Sequence, residues 1–409
     1  MIKVKYDVDE SLLAAADAIA PAASAAYEQL RSHALDYTGW VDYAAGIGES
    51  DVKAVTDIAG EIRSHSDALV VIGIGGSYLG ARAACDFITG RPGHGVEILF
   101  AGFNLSAAYH SALIARLEGR DFSIVQISKS GGTVEPAMAY LVLRELLIAK
   151  YGEAEADART YAVTDPESGA LRAEADERGY RFLPIPQDIG GRYSVLTPVG
   201  LLPMAAAGID IEGALRGARD AAADEDTAAC LRLAAVRHAI QDTGKTVEVI
   251  GCFEPSAESF IQWILQLYGE SEGKDGKGML PTGVSFSRDL HSLGQFLQQG
   301  NQIFMETLVD IEQPETDLVI PEGAGALFAG RGMNEFNRAV RDGVTRAHRG
   351  AGIPVVTVTV PDQSAYSFGK LAYFFELTCG VTGLLMGVDP FNQPGVEAYK
   401  KEMMAILRG

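Results

Sequence analysis

From residue 68 onward, short apolar runs rich in Val and Ile alternate with stretches whose apolar positions recur every three to four residues. The runs at 68–74, 96–101, 122–127, 160–164 and 182–185 have the length and composition of buried strands, and the stretches between them read as helices. Strands separated in this way by helices predict a doubly wound, mostly parallel sheet covered on both faces, an αβα sandwich. A second set of strands is expected at 246–250, 303–309, 318–320 and 354–360. Helices are expected near 258–267, 290–297, 334–348 and 364–386, with a C-terminal helix at 396–407. Residues 1–65 show helical spacing only, over 10–33 and 51–64, with a turn at 46–48 between them. Between 210 and 242 the chain turns Ala- and charge-rich and the strand signal vanishes. A boundary there divides the chain into residues 1–215, which include the helical prelude, and 216–409. The two sets of strands share a plan, without any residue-level repeat.

Composition adds little to this picture. A length of 409 residues suits about two to three domains, and 47% hydrophobic residues with a mean hydropathy of +0.08 are ordinary for a globular α/β chain. Charge changes more. At −20, the chain lacks the broad basic field that nucleic acid or an anionic membrane requires, so neither is expected as a partner. A phosphate ester would need local donors to hold it against the overall potential. Cys85, Cys230, Cys252 and Cys379 are widely spaced, with no CxxC, which fits a reduced cytoplasmic location and argues against a zinc knuckle or redox pair. The Ala-rich stretch 12–26 is preceded by Asp7, Asp9 and Glu10 and interrupted by Asp17, so it reads as an amphipathic helix rather than a leader. Uncharged stretches fall short of a membrane span.

Five stretches carry candidate chemistry. The first, GIGGSYLG at 73–80, follows a strand and opens a helix. Glycines there let the backbone approach an anion, and the N–H groups of Gly76 and its neighbours, with Ser77 beside them, can donate to phosphate oxygens. A dinucleotide fingerprint would need glycine where Tyr78 stands, and an ATP loop would need Lys and Ser/Thr where Ala81 and Arg82 stand. Taken alone, the motif serves equally well as a turn packing helix on strand.

The second, SKSGGTVEP at 128–136, places Ser128, Lys129, Ser130 and Thr133 in a strand-to-helix loop. Helix capping accounts for one such hydroxyl but not for three with a lysine. Loops at the carboxyl ends of neighbouring parallel strands converge at a topological switch point, so these two loops are placed to hold one phosphate. The third, DIGGRYS at 188–194, sets Arg192 after two glycines, either aimed at a developing oxyanion or solvated. In the fourth, an apolar helix carrying Gln266 runs into GESEGKDGKG at 269–278, with Glu270 a candidate general base, and SRDLH at 287–291 supplies His291. A solvated charged loop and a structural histidine are the plain alternatives. The fifth, FNQPGVEAYK at 391–400, opens the last helix and holds Gln393 and Lys400, the latter spaced to pair with Glu397. No histidine spacing suggests a metal site.

In this order and together, the five motifs resemble the glucose-6-phosphate isomerase family in its shorter bacterial form. The resemblance covers about residues 73–400, with GGRYS and Q-x-G-V-E-x-x-K the most specific elements. It implies two sugar-isomerase-type αβα domains, interconversion of glucose 6-phosphate and fructose 6-phosphate through a cis-enediol, and no metal or organic cofactor. By the same resemblance Glu270 is the base between C2 and C1, and Arg192 stabilises the enediolate. His291 and Lys400 assist ring opening. Gly76, Ser77, Ser128, Lys129, Ser130 and Thr133 hold the phosphate and sugar, and Gln266 and Gln393 line the site. In that family the histidine comes from a neighbouring subunit, which implies a homodimer with a shared site. One departure stands out: Gly132 occupies a position where the family's phosphate loop usually has threonine. The rival readings are an isomerase that also accepts mannose 6-phosphate, and a sugar-phosphate sensor, which substitutions at Glu270, His291 or Lys400 would favour; none is present.

Overall fold

The computed structural model describes residues 2–88, 95–129 and 131–408. Among them are ten strands: β1 (Lys3–Asp7), β2 (Ala68–Ile72), β3 (Glu97–Ala101), β4 (Phe122–Ile127), β5 (Thr160–Thr164), β6 (Arg181–Pro184), β7 (Val247–Cys252), β8 (Leu280–Ser285), β9 (Phe304–Ile311) and β10 (Val355–Val360). They form two five-stranded sheets, ordered β3-β2-β4-β5-β6 and β1-β10-β9-β7-β8. Every pairing in the first sheet is parallel. The second is parallel except for β1, which lies antiparallel to β10. In each sheet the first parallel strand in the chain sits between the second and third, so β2/β4 and β7/β9 are corresponding switch points. The αβα class expected from the hydrophobic pattern is what the chain adopts.

Contacts divide the chain discontinuously. One unit comprises residues 1–38, 223–362 and 373–409, the other 39–222 and 363–372, where the sequence suggests a single boundary after 215. The residues responsible are β1, whose Lys3–Asp7 register against Val355–Thr359 makes it part of the second sheet, and the following helix Glu10–Arg31, which packs on helix Asp224–Gln241. Asp226 Oδ1 accepts the Ile2 N–H at 3.0 Å and Arg232 bonds Asp17 at 2.5 Å, tying the two stretches together. The purely helical reading of 1–65 therefore misses β1, and also the short helix Trp40–Gly46.

Two further corrections concern the second sheet. No strand forms at 318–320; Val319 makes one isolated bridge to Gly332, and Leu318 and Val319 remain 64% and 69% exposed. With both side chains in solvent there is no buried face to extend the pairing. β8 escapes the hydrophobic pattern because Pro281 and Gly283 interrupt it, a composition tolerated at a sheet edge. The helix expected at 290–297 is a 3-10 turn, Arg288–His291, followed by the α-helix Gly294–Gln299. No described helix is long and apolar enough to cross a membrane.

Candidate active site

In the unit built on the first sheet, the glycine loop after β2 winds into one 3-10 turn, Gly75–Ser77, before helix Leu79–Phe87. The Gly-Gly-Arg stretch forms a matching turn, Gly191–Tyr193. The two turns lie against each other so closely that a Cβ on Gly76 would sit 2.1 Å from the Gly191 carbonyl oxygen and one on Gly80 would sit 2.7 Å from Val195. Glycine is required at Gly76 for contact and not for an unusual dihedral angle. Ahead of Arg192, Gly190 takes φ −76°, an angle open to any residue. Gly76→Ala should therefore destabilise the protein by about 1–3 kcal/mol, seen as a lowered urea midpoint at unchanged slope. An unmoved midpoint would mean the two loops part freely.

Arg192 is 3% exposed, so it is no solvated surface residue. The following Tyr193 stacks on Trp40 with ring centroids 4.8 Å apart, anchoring the turn. Ser77 is half-buried, and its hydroxyl makes no hydrogen bond among the described residues.

After β4, Ser128 Oγ accepts the Gly131 N–H at 2.9 Å, which leaves its own proton free to donate. Gly131 takes φ +75°, and a Cβ there would meet the Leu171 backbone nitrogen at 2.5 Å. Thr133 occupies the cap position of helix Val134–Tyr151, yet its side chain forms no capping bond. Capping thus does not consume this hydroxyl. Lys129 Nζ reaches the Gln187 carbonyl at 2.9 Å. Burial holds the Lys129 ammonium below its ordinary pKa range, against the opposing pull of Asp165 and Asp188. Ser130 lies outside the described residues.

Asp165 and Gln187 were not singled out in the sequence. Asp165 Oδ1 accepts the N–H groups of Glu167 and Ser168 at 2.9 Å each, a turn signalled only by Asp-Pro-Glu-Ser. Those bonds, with a weaker one from Gln187, hold its carboxyl below the usual range.

The other unit carries the remaining candidates. Helix Glu258–Glu272 joins β7 to β8 and buries Phe260, Ile261, Trp263, Ile264 and Leu267. Its last turns expose part of a different face, where Gln266 Nε2 donates to Glu270 Oε1 at 3.1 Å, an i, i+4 contact. The Gln266 Oε1 atom is buried without a hydrogen-bond partner, and Glu270 is half-buried. The loop that follows is not a solvated charge run: Lys277 Nζ bonds the Met386 carbonyl at 2.8 Å and Lys274 Nζ bonds that of Asp389, occupying backbone acceptors just past a helix end.

His291 is exposed, at the end of its 3-10 turn. Asp289 fastens that turn, accepting the Ser285 N–H at 2.7 Å while Arg288 and the same N–H keep its carboxyl below the usual range. Gln393 is exposed at the start of helix Pro394–Arg408, and Lys400 is half-buried within it.

The phosphoglucose isomerase family model matches residues 52–289. A glucose-6-phosphate isomerase of Acetivibrio thermocellus is 46% identical over 394 residues, covering 91% of this chain and 87% of that relative. One from Heliobacterium modesticaldum is 47% identical over 392 residues, with the same coverage of each. The crystal structure of a hypothetical protein from Thermus thermophilus superposes with a TM-score of 0.92 at 28% identity, covering all of both chains. On these similarities, the chain belongs to the phosphoglucose isomerase family.

Proposed function

We propose that Glu270 is the base of this isomerase, taking the proton from C2 of the open-chain aldose and returning it to C1. The chain interconverts glucose 6-phosphate and fructose 6-phosphate, a reaction whose hard step is ionisation of a carbon acid. A carboxylate does this well only when partly desolvated and aimed, because reacting atoms must lie within about 3–3.5 Å of one another. The Gln266–Glu270 contact at the half-buried end of a rigid helix is the observation that carries the assignment. The unpartnered Gln266 Oε1 then accepts from a sugar hydroxyl.

As C2 ionises, negative charge grows on the enediolate oxygen. Arg192, held in a turn anchored by aromatic stacking, supplies the fixed cation for it. His291 and Lys400 open the ring by moving protons at the ring oxygen and the anomeric hydroxyl, a task suited to imidazole near neutral pH. Gly76, Ser77, Ser128, Lys129, Ser130 and Thr133 hold the phosphate, and Gln393 lines the sugar site. Binding energy drawn from the phosphate, remote from C1 and C2, serves to orient them. The exposure of His291 fits its donation to a second copy of the chain, so the working form is a homodimer, acting in the cytoplasm where sugar phosphates are metabolised.

The test is proton exchange. In heavy water, fructose 6-phosphate should yield glucose 6-phosphate deuterated at C2, followed by NMR. Deuterium in the product establishes proton transfer through an enediol; product without it that still forms in Glu270→Gln would point to direct hydride movement and remove the base.

The Lys129 ammonium adds a pH dependence. Its folded pKa is depressed below the ordinary 10.5, so the charge that faces phosphate is lost as pH rises through that lowered value. KM for fructose 6-phosphate should therefore climb in the alkaline range before pH 10.5 is reached. In Lys129→Arg, which stays charged throughout, that rise should be flattened; identical alkaline profiles would remove Lys129 from the phosphate site.

A further inference from the structure

The stretch Gly269–Lys274 carries two carboxylates, and the proposed chemistry uses only Glu270. Glu272, two residues on, points the other way, since two helical residues turn through about 200°. It is 1% exposed, a costly place for a carboxylate, and it lies at a helix C-terminus where the macrodipole also disfavours negative charge.

Arg237, on helix Asp224–Gln241 and likewise 1% exposed, meets it fork to fork. Nη1 reaches Glu272 Oε1 at 2.7 Å and Nη2 reaches Oε2 at 2.9 Å. The other edge of the guanidinium holds Glu248 of β7, with Nε and Nη2 at 2.9 and 2.6 Å from Oε2. Glu248 Oε1 takes a bond from Thr307 Oγ1 of β9 at 2.6 Å, and Thr382 Oγ1 accepts from Arg237 Nη1 at 3.0 Å. The guanidinium carbon lies 3.9 Å from the ring centroid of Tyr268, on the same helix as Glu270.

For stability alone, a well-packed apolar cluster would serve as well as this buried ionic one. What a bidentate pair adds is direction: it fixes the rotation of the turn that carries it, where apolar contacts can slide. With side chains about 5–6 Å from the helix axis, a rotation of about 10° swings a carboxylate through about 1 Å, and a misplacement of that size can cost about a hundredfold in rate.

We propose that Arg237 is a positioning residue for the base: gripping Glu272 on the buried side of the helix, it sets the aim of Glu270 on the other. This rests on Glu270 being the base. Gln266 restrains the same carboxylate from one turn earlier. Burial already pushes the Glu272 carboxyl above its ordinary range, with Arg237 as the main opposing influence; without the guanidinium the two-oxygen grip is gone and that push is largely unopposed.

The experiment compares Glu272→Gln, Arg237→Lys and Glu270→Gln in the full-length enzyme, with melting curves to confirm folding. Steady-state kinetics are run on fructose 6-phosphate, together with the primary isotope effect on glucose 6-phosphate deuterated at C2. Glu272→Gln keeps shape but loses one acceptor oxygen. It should lower kcat by about 10- to 100-fold, leave KM within about twofold, and enlarge the isotope effect because proton transfer becomes slower than ring opening and release. Arg237→Lys, which cannot grip both oxygens in one plane, should follow it; if it does not fold, Glu272→Gln carries the test. A partly folded enzyme would lose kcat without any change in isotope effect, so a fall in rate with an unchanged isotope effect overturns the proposal. So does wild-type kcat in Glu272→Gln beside an inactive Glu270→Gln. An active Glu270→Gln would instead remove the base assignment itself, and this inference with it.

Discussion

Glu270→Gln should lower kcat for the isomerisation by about 10³- to 10⁴-fold, within the range that a well-placed general base contributes. The substitution is nearly isosteric and retains an oxygen for the Gln266 amide, whose Nε2 lies 3.1 Å from Glu270 Oε1, so the helix end should keep its conformation. What it removes is the capacity to take a proton from carbon. KM should change little, because on the proposed mechanism Glu270 acts on the carbon skeleton and not on the phosphate. The same variant in heavy water should place almost no deuterium at C2. Retained exchange would move the base elsewhere, and Glu272, 1% exposed and fully engaged with Arg237, is not a replacement.

Arg192→Met should cost about 10²- to 10³-fold in kcat, the range measured when one preorganised oxyanion contact is removed. Charge on the enediolate oxygen exists in the transition state and hardly at all in the bound sugar, so the loss should appear in kcat with KM nearly constant. Met fills a similar volume, which matters for a side chain 3% exposed. Arg192→Lys should recover part of the rate, since the charge returns without the planar fork. A variant with raised KM and normal kcat would make Arg192 a ground-state contact instead.

Strands buried on both faces were legible because nothing competes with their signal: β2 reads Ala-Leu-Val-Val-Ile and every residue in it is buried. Edge strands divided: β3 and β6 were legible from their apolar runs, β1 and β8 were not. β1, Lys-Val-Lys-Tyr-Asp, alternates charge with bulk as a strand with one wet face must, and five residues of it look like a helix lead-in. Candidate site residues could be named where they are close in sequence: Ser128 and Thr133 fall in one strand-to-helix stretch, and Gln266 and Glu270 are one helical turn apart. Arg237 was invisible for the opposite reason. Its partners Glu248, Glu272 and Thr382 come from a strand, a helix end and a distant helix, and no spacing in the chain links them. The roles of the glycines were half legible. Gly76 was marked for anion approach, but its tightest neighbour is the Gly191 backbone, a contact known only once both loops are placed.

The interleaving of the two units bears on how the chain is made. Lys3 is made long before its register partner Thr359, and Asp7 waits for Val355. The other unit is likewise completed only by residues 363–372. Neither half can finish as an independent folding event during translation, the usual way large chains avoid entanglement. The nascent chain must hold β1 without its partner until β10 has been made, and loops of that span close slowly. A stop anywhere upstream of Val355 leaves β1 without its partner strand and takes from each unit a segment that it includes, so such a truncation keeps neither unit whole.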